Sequence, residues 1–416
     1  MKEAIDIVTF GCRLNTYESE VMRRLSKEAG LRNAVIFNTC AVTQEAERQA
    51  RQAIRKIRRE QPDTEIIVTG CAAQINPELY ASMAEVDRVI GNDEKLKANS
   101  FTAHPHEKIM VNDIMSVKET ASHMVSGFEG KARAFVQIQN GCDHRCTFCT
   151  IPFGRGNSRS QPIGAITQQT KELVQNGYNE IVLTGVDITA YGADLPGQPT
   201  LGQMIRRLFV QVPDLKRLRL SSLDPVEIDE DLYKLIENES RLMPHFHLSL
   251  QSGDTMILKR MKRRHVREDI IACCDKIRSL RSDAVFGADI IAGFPTESDK
   301  MFENTRALVE KQRLIHLHVF PYSERPGTPA ARMPAVPKET RKKRATTLRQ
   351  LGQQTLQDYL KTLVGQEISI LIESENKGRS EQYASVILDE KTLPGSIQTA
   401  YIHGTENGIL KGTLRG

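Results

Sequence analysis

An apolar strand is followed by Gly141-Cys142-Asp143-His144-Arg145-Cys146-Thr147-Phe148-Cys149. This loop spaces three cysteines as C-x3-C-x2-C. One loop of this length can wrap one cluster, and three thiolates hold three irons of a four-iron cluster while the fourth iron stays open. Zinc sites usually pair C-x2-C units, and ferredoxins supply a fourth cysteine. The spacing therefore predicts an iron–sulfur cluster with an open iron, and His144 is predicted to be a surface residue.

Around this loop, strand and helix patterns alternate six times within residues 132–335. The predicted strands are Phe135–Gln139, Glu180–Val186, Arg217–Leu223, His245–Gln251, Ala284–Ala292 and Ile315–Tyr322. Six such units predict a parallel barrel that lacks two of the usual eight, and is therefore open on one side. The cysteine loop follows the first strand, at the end where such barrels place their active sites.

Residues 1–98 show the same alternation on a smaller scale and predict a doubly wound parallel sheet. Cys12, Cys40 and Cys71 each lie just past a predicted strand. Since the carboxyl ends of parallel strands share one edge, these three thiols are expected to converge there. Three thiolates could hold zinc or an iron–sulfur cluster, in either case with one open position.

The remaining segments are a connection, a basic helix and a small β-module. Residues 99–131 lose the periodicity and are predicted to connect two domains. Residues 336–363 form a basic helical stretch, and residues 364–416 contain short strands broken by glycine and asparagine, which predicts a small β-barrel. The expected fold class is thus α/β with three units.

Composition excludes several classes of protein. Of the 416 residues, 26% are charged and 39% hydrophobic, which is globular rather than disordered. We expect no membrane span and no secretory signal, and hence a cytoplasmic protein. The eight cysteines should then be thiols or metal ligands rather than disulfides. Cys273 and Cys274, adjacent in a helical stretch, are predicted to be packing residues.

Positive charge is clustered rather than spread. Residues 331–361 hold eight basic and two acidic residues, whereas the whole chain carries only +5. A second basic cluster spans residues 259–265, and a third, residues 51–59, is more typical of a solvated helix face. The predicted RNA contacts are Arg341, Lys342, Lys343, Arg344, Lys262, Arg263 and Arg264.

Several motifs resemble one known family, the radical S-adenosylmethionine (SAM) methylthiotransferases. They are Thr9-Phe10-Gly11-Cys12-Arg13-Leu14-Asn15, Asn38-Thr39-Cys40-Ala41-Val42-Thr43, Thr69-Gly70-Cys71, Gln139-Asn140-Gly141-Cys142 and Ile151-Pro152-Phe153-Gly154-Arg155-Gly156. Two later stretches, residues 318–323 and 327–333, resemble the MtaB branch, which modifies N6-threonylcarbamoyladenosine in tRNA. The C-terminal module is similar to the RNA-binding TRAM domain.

The resemblance implies a role for each matching cysteine. Cys142, Cys146 and Cys149 would hold the 4Fe–4S cluster that chelates and cleaves SAM to a 5′-deoxyadenosyl radical. Cys12, Cys40 and Cys71 would hold an auxiliary 4Fe–4S cluster carrying the sulfur, and two SAM molecules would be used. Strand-end residues expected to line SAM are Phe148, Gly185, Val186, Asp187, Ser221, Ser222, Gln251, Ser252, Asp289 and Gly293.

The implied partners are the tRNA anticodon stem-loop, an electron donor of flavodoxin or ferredoxin type, and a sulfur source. Three alternatives remain open from the sequence. They are a methylthiotransferase of the isopentenyladenosine tRNA branch, one acting on a ribosomal protein, and a non-catalytic iron–sulfur sensor or RNA-binding regulator.

Overall fold

A computed structural model describes residues 5–102, 107–118 and 123–415, and its strands fall into three main groups along the chain. No helix within these ranges is both long and apolar enough to cross a membrane.

The first group is a parallel sheet in the order β1-β2-β3-β4-β5. Alternate residues of β2 face two different cores: Ile36 packs with Val21 of α1, and Phe37 packs with Ile54 of α2. Helices therefore cover both faces, which confirms the doubly wound sheet. The elements are β1 (Ile5–Thr9), α1 (Arg13–Glu28), β2 (Ala34–Thr39), α2 (Gln44–Glu60), β3 (Glu65–Gly70), α3 (Cys71–Ile75), α4 (Pro77–Ala81), β4 (Arg88–Ile90) and β5 (Ile109–Met110).

The strand β5 corrects one predicted boundary. Residues 99–131 were expected to be a connection, of which 103–106 and 119–122 lie outside the described ranges. However, Val89 of β4 pairs with Ile109 of β5. The first sheet thus continues beyond residue 98, and a strand of only two residues is too short to show a periodicity in the sequence.

The central group is the predicted partial barrel. Its parallel strands run β6-β9-β10 and β11-β12-β13, and isolated bridges from Leu218 to Leu242 and from Leu223 to Leu248 join the two halves. The elements are β6 (Ala134–Gln137), β7 (Gln139–Asn140), α5 (Ile151–Arg155), β8 (Arg159–Ser160), α6 (Ile163–Gln175), β9 (Glu180–Thr184), α7 (Leu201–Gln211), β10 (Arg217–Leu220), α8 (Glu230–Asn238), β11 (His245–Gln251), α9 (Thr255–Arg260), α10 (Arg267–Leu280), β12 (Val285–Ala292), α11 (Asp299–Lys311) and β13 (Leu314–Pro321).

The C-terminal group is a closed barrel in the order β14-β15-β16-β18-β17, as the turn-broken strand pattern predicts. Its apolar interior includes Ile370, Val386 and Ile402. The elements are α12 (Lys338–Thr362), β14 (Glu367–Ser374), β15 (Lys377–Ser380), β16 (Ser385–Leu388), β17 (Ile397–Glu406) and β18 (Ile409–Leu414).

The long helix α12 covers one edge strand of the central barrel. A side chain at Gly352 of α12 would come within 2.9 Å of Leu317 of β13, so the missing side chain lets the helix approach the strand closely. Leu317 therefore faces outward, and its neighbours His316 and His318 face the barrel interior.

Candidate active site

The loop after β7 gathers three partly exposed thiols, those of Cys142, Cys146 and Cys149. Backbone bonds shape it: the Cys142 N–H donates to Gly156 O at 3.1 Å, and the Cys149 N–H donates to Cys146 O at 3.1 Å. Gly141 precedes the loop at φ +73°, and a Cβ there would lie 1.9 Å from Asn157 O. The tight turn therefore requires glycine at this position.

The far side of the loop is fixed to α9. The Thr147 N–H donates to Met261 O at 3.0 Å, and the Thr147 hydroxyl donates to Arg260 O at 2.8 Å. Phe148, expected to line SAM, sets its ring edge against Phe294 at a centroid distance of 6.4 Å. These contacts fix the position of the loop against α9 and against Phe294, which follows β12.

Cys12, Cys40 and Cys71 follow β1, β2 and β3 at one edge of the first sheet, as parallel topology predicts. A Cβ at Gly11, which has φ +95°, would lie 2.9 Å from the Cys40 sulfur. A Cβ at Gly70, also at φ +95°, would lie 2.3 Å from Thr39 O. Glycine thus lets the strand ends approach one another closely enough for the thiols to converge.

The two cysteine sets face each other across the boundary between the first two units. A Cβ at Gly154 of α5, five residues beyond Cys149, would lie 3.2 Å from the Cys71 Cβ. The amide nitrogen of Asn92 lies 3.7 Å from the Cys71 sulfur. The loop that carries the second set therefore packs directly on the first.

The surroundings of the thiols favour their protonated form in the absence of a metal ion. Burial raises the pKa of Cys40 to about 12, and neighbouring Cys71 adds to the effect. Burial and then Asp187 raise the pKa of Cys142 to about 12. These thiols are protonated at neutral pH unless a coordinated metal ion removes the proton. Cluster binding must therefore displace these protons, and each set of three sulfurs could then hold an iron–sulfur cluster with one open iron.

A buried charge network lies beside the first cysteine set. Glu18 of α1 accepts hydrogen bonds from Lys95 Nζ at 2.7 Å and from Arg155 Nη1 at 2.8 Å, and none of the three side chains is more than 2% exposed. Burial opposes ionisation of Glu18, yet Arg155 and Lys95 hold its pKa at about 2. Burial lowers the pKa of Lys95, and the Glu18 carboxylate opposes that shift, so the network holds two basic side chains for one carboxylate.

This surplus positive charge fits an anionic group on the first cysteine set. An unbalanced buried charge lowers the free energy of unfolding by about 3 to 5 kcal/mol. The Arg155 guanidinium interacts electrostatically with Cys71 and Cys12. A four-iron cluster on three thiolates is negatively charged, so these residues fit such a cluster better than they fit three neutral thiols.

The strand ends place the other residues expected to contact SAM around the second cysteine set. A carboxylate oxygen of Asp187 lies 3.8 Å from the Cys142 sulfur. The N–H groups of Val186 and Asp187 donate to Gln139 Oε1 at 3.0 and 2.9 Å, which fixes the turn at Gly185. The roles of these residues towards SAM stay predictions.

Two further strand ends carry predicted SAM residues. Ser221 and Ser222 are half-buried after β10, and the Ser221 N–H donates to Leu183 O at 3.0 Å. Gln251, at the end of β11, has φ +71°. A non-glycine residue in this conformation is strained, and such strain concentrates at functional sites. Their contacts with SAM also stay predictions.

Three expectations from the sequence are corrected by the structure. Ser252 is buried and bonds to Thr305, so its hydroxyl is used in packing rather than offered to a cofactor. A Cβ at Gly293 would meet Arg341 at 2.6 Å, which shows a close approach to α12 instead of an open cofactor surface. His144 is not a surface residue: its side chain is 18% exposed and its Nε2 lies 2.9 Å from Asp187.

Three of the predicted RNA contacts are also wrong. Arg344 is buried and ion-paired with Glu297 at 2.7 Å. Arg263 is 9% exposed and bonded to Asp224. Arg341 donates to backbone carbonyls and pairs with Glu324. These guanidinium groups stabilise the fold. The exposed cations that remain are Lys262, Lys342, Lys343 and Arg264.

The structure also adds His247 and Tyr383, which the sequence does not single out. Asp289, predicted to contact SAM, lies 3.0 Å from His247 and 3.1 Å from His318 across the barrel interior, and its contact with SAM stays a prediction. Tyr383 of the C-terminal barrel reaches the same interior. Cys273 and Cys274 are buried in the core, which confirms them as packing residues.

Comparison with known proteins agrees with this architecture. Residues 136–309 match the Radical SAM superfamily, and residues 4–91 match the Uncharacterized protein family UPF0004. A solved radical SAM methyltransferase, TsrM from Kitasatospora setae, superposes with a TM-score of 0.56 at 14% identity, covering 79% of this chain and 74% of that one. This likeness concerns the fold alone. Fold and cysteine loop together define a radical-SAM enzyme.

Full-length relatives narrow the class further. Threonylcarbamoyladenosine tRNA methylthiotransferase MtaB from Rickettsia prowazekii is 58% identical over 409 residues, which cover 98% of this chain and 97% of the relative. The protein of the same name from Aquifex aeolicus is 35% identical, with 93% and 96% covered. A tRNA-2-methylthio-N(6)-dimethylallyladenosine synthase from Neorickettsia sennetsu is 32% identical, with 98% and 92% covered. The chain belongs to the methylthiotransferase family of radical-SAM enzymes.

Proposed function

We propose that this enzyme transfers a methylthio group to C2 of N6-threonylcarbamoyladenosine at position 37 of tRNA, 3′ of the anticodon. The observation that carries this proposal is the 58% identity, over nearly the whole of both chains, to a relative named for that substrate. Family membership argues against the non-catalytic sensor. A ribosomal-protein substrate is less favoured, because the similar proteins described above are named for tRNA.

We assign one 4Fe–4S cluster to Cys142, Cys146 and Cys149, and a second to Cys12, Cys40 and Cys71. The clusters and two SAM molecules supply the radical and sulfur chemistry when bound. The protein holds the loop of Cys142, Cys146 and Cys149 through Thr147, and it positions Cys12, Cys40 and Cys71 through Gly11 and Gly70. Two clusters correspond to about eight irons per chain after anaerobic reconstitution, and about four would overturn this assignment.

The proposed partners follow from the same reaction. An anticodon stem-loop presents an unpaired base that a pocket can accept without opening a helix. A flavodoxin- or ferredoxin-type protein would supply electrons, and a separate source would restore the transferred sulfur. A cytoplasmic location is consistent with this substrate.

The proposal is tested by nucleoside mass spectrometry of tRNA from a strain in which the gene is deleted. The expected result is loss of 2-methylthio-N6-threonylcarbamoyladenosine, with its unmethylthiolated precursor retained, and recovery on complementation. Unchanged levels of the methylthiolated nucleoside would overturn the proposal. Loss of the 2-methylthio form of the isopentenyl nucleoside instead would favour the sister branch, to which the 32% identical relative belongs by name.

A further inference from the structure

The interior of the central barrel is open to solvent along β13. On the inward face of this strand, the side chain of His318 is 61% exposed and Phe320 is 37% exposed. Deeper in the barrel, His316 is half-buried and lies within 3.1 Å of Gln382 O in the C-terminal barrel. A cleft therefore runs from the open edge towards the junction with that barrel.

Tyr383 lies at the deep end of this cleft. Its ring stacks on His245 with centroids 5.2 Å apart and planes 14° apart. It is not a glycine, yet it has φ +68°, a conformation that costs energy and is held by the surrounding contacts. Four guanidinium groups lie within 5.8 Å of the ring centroid, those of Arg13, Arg133, Arg219 and Arg379.

This part of the cleft carries more positive than negative charge. Glu180 pairs with Arg133 and Arg219, and Glu373 pairs with Arg133 and Arg379. Burial alone would raise the pKa of Tyr383, but the surrounding arginines lower it, which is the effect of a positive potential. The nearby His245 is buried, and burial lowers its pKa, so its imidazole stays neutral and the positive charge comes from the arginines.

Arg13 is the cation of this group that lacks a carboxylate. Within the described residues, its guanidinium group contacts the Tyr383 ring, with Cζ 5.8 Å from the ring centroid, and forms no ion pair. It directly follows Cys12 and begins α1, so it stands between the first cysteine set and the barrel cleft. A half-buried cation in that position is available to an anionic ligand.

We infer that Arg13 binds the carboxylate of the amino-acid substituent on the target adenosine and so selects that substrate. The inference rests on the proposed function. The N6 substituent of threonylcarbamoyladenosine ends in a carboxylate, which matches the fork of a guanidinium group. An isopentenyl group is an uncharged hydrocarbon and would leave this cation unpaired, so the same contact rejects the other tRNA substrate.

The test compares two anticodon stem-loops that differ only in charge. One carries N6-threonylcarbamoyladenosine, and the other carries its threoninamide analogue, in which a neutral amide replaces the carboxylate. Dissociation constants are measured by fluorescence anisotropy with reconstituted protein, and KM and kcat are measured alongside. Wild-type protein should bind the acid about 10- to 100-fold more tightly than the amide, the range expected of a charge-assisted hydrogen bond.

Arg13→Gln should bring the ratio of the two constants close to one while leaving affinity for the amide unchanged. Arg13→Lys keeps the charge and should retain part of the discrimination. Arg24→Gln is the matched control, because Arg24 lies on the same helix, is 42% exposed and pairs with Glu28. It should keep the wild-type ratio. Iron content of each variant shows whether the first cysteine set still holds its cluster.

Several outcomes would overturn the inference. Equal weakening of both RNAs in Arg13→Gln would assign Arg13 to a backbone phosphate, and a raised KM for SAM alone would assign it to the SAM carboxylate. If iron is lost in Arg13→Gln, equal affinity of wild-type protein for acid and amide still overturns the inference. Failure of the wild-type enzyme to modify the acid RNA at all would instead overturn the proposed function.

Discussion

At the residue scale, the charge of Arg155 is expected to raise the reduction potential of the cluster that we propose on Cys12, Cys40 and Cys71. Arg155→Met leaves Glu18 paired with Lys95 and removes the surplus cation beside these sulfurs. Losing a nearby positive charge disfavours reduction, so the potential of this cluster should fall. An EPR-monitored redox titration measures it.

The control for this titration is Arg145→Met, which removes an exposed guanidinium on the other cysteine loop. It should leave the reduction potential of the proposed cluster on Cys12, Cys40 and Cys71 unchanged. Equal potentials in Arg155→Met and wild-type protein, with full iron content, would show that the buried network does not act on the cluster.

Substitution of one cysteine from each set should distinguish the roles of the two proposed clusters. Cys146→Ala should abolish formation of 5′-deoxyadenosine from SAM, because it removes a ligand of the cluster that binds SAM. Cys40→Ala should leave some cleavage but no methylthiolated product. Chromatography of both products from one reaction measures this. A Cys40→Ala enzyme that still methylthiolated RNA normally would contradict the auxiliary role.

Local motifs can be predicted from the sequence, whereas contacts between residues far apart in the chain cannot. The C-x3-C-x2-C spacing is local, so the second set could be found directly. Lys95 and Arg155 meet Glu18 across 77 and 137 positions of the chain. Nothing local in the sequence marks such partners. For the same reason the sequence does not distinguish Arg344, which is buried and paired with Glu297, from the exposed cations beside it.

At the scale of elements, the strand ends of the first sheet depend on glycine. Gly11→Ala would place a methyl group 2.8 Å from the Cys40 Cβ, and should reduce the iron held by the first set. Gly30→Ala is a matched control, since Gly30 also has positive φ but nothing lies within 4 Å. Both carry a conformational cost of about 1 to 2 kcal/mol. Iron content per folded protein should fall in Gly11→Ala alone.

The junction between β13 and the C-terminal barrel should make stability depend on pH. Burial lowers the pKa of His316 from 6.5 to about 4. Between these values the unfolded chain binds a proton that the folded chain does not, so unfolding free energy should fall as pH falls. The expected contribution is about 2 kcal/mol between about pH 7 and about pH 5.

Urea unfolding at the two pH values measures this dependence. His316→Gln should show a smaller loss of stability on acidification than wild-type protein, because glutamine does not titrate. An identical loss in both proteins would show that His316 does not contribute.

The strands inside the sheets are easier to predict from the sequence than a short strand at the edge of a sheet. The six strands of the central barrel agree with their predicted positions to within a few residues. Some, such as β9, are nearly continuous apolar runs, and others, such as β10, alternate leucine with arginine, but all are separated by helical stretches. β5 was missed because pairing at the sheet edge, and not side-chain pattern, defines it.

At the scale of the whole molecule, exposed cations should attract tRNA. Lys342 and Lys343 lie exposed on α12, so Lys342→Gln with Lys343→Gln should weaken RNA binding and reduce the slope of affinity against salt by about 2. Exposed Lys216 and Lys234 of the central barrel, changed together, serve as control. Anisotropy at several salt concentrations measures both. Unchanged salt dependence in the first double variant would exclude this surface.

The three-unit plan was predictable from alternating patterns, but the contacts between units were not. The C-terminal module was expected only to bind RNA, yet Tyr383 enters the central barrel and Arg133 pairs with Glu373 of β14. Such contacts follow from the tertiary arrangement, which no local pattern encodes. They make the C-terminal barrel part of the cleft that would receive the substrate.

Mass spectrometry of RNA treated with reconstituted enzyme, SAM and a reductant tests the proposed substrate most directly. Two anticodon stem-loops are offered together, one with N6-threonylcarbamoyladenosine and one with isopentenyladenosine. We predict that a methylthio group replaces one hydrogen atom of the first adenine and that the second RNA stays unchanged. Modification of the isopentenyl RNA alone, or of neither RNA by enzyme with a full iron content, would contradict it.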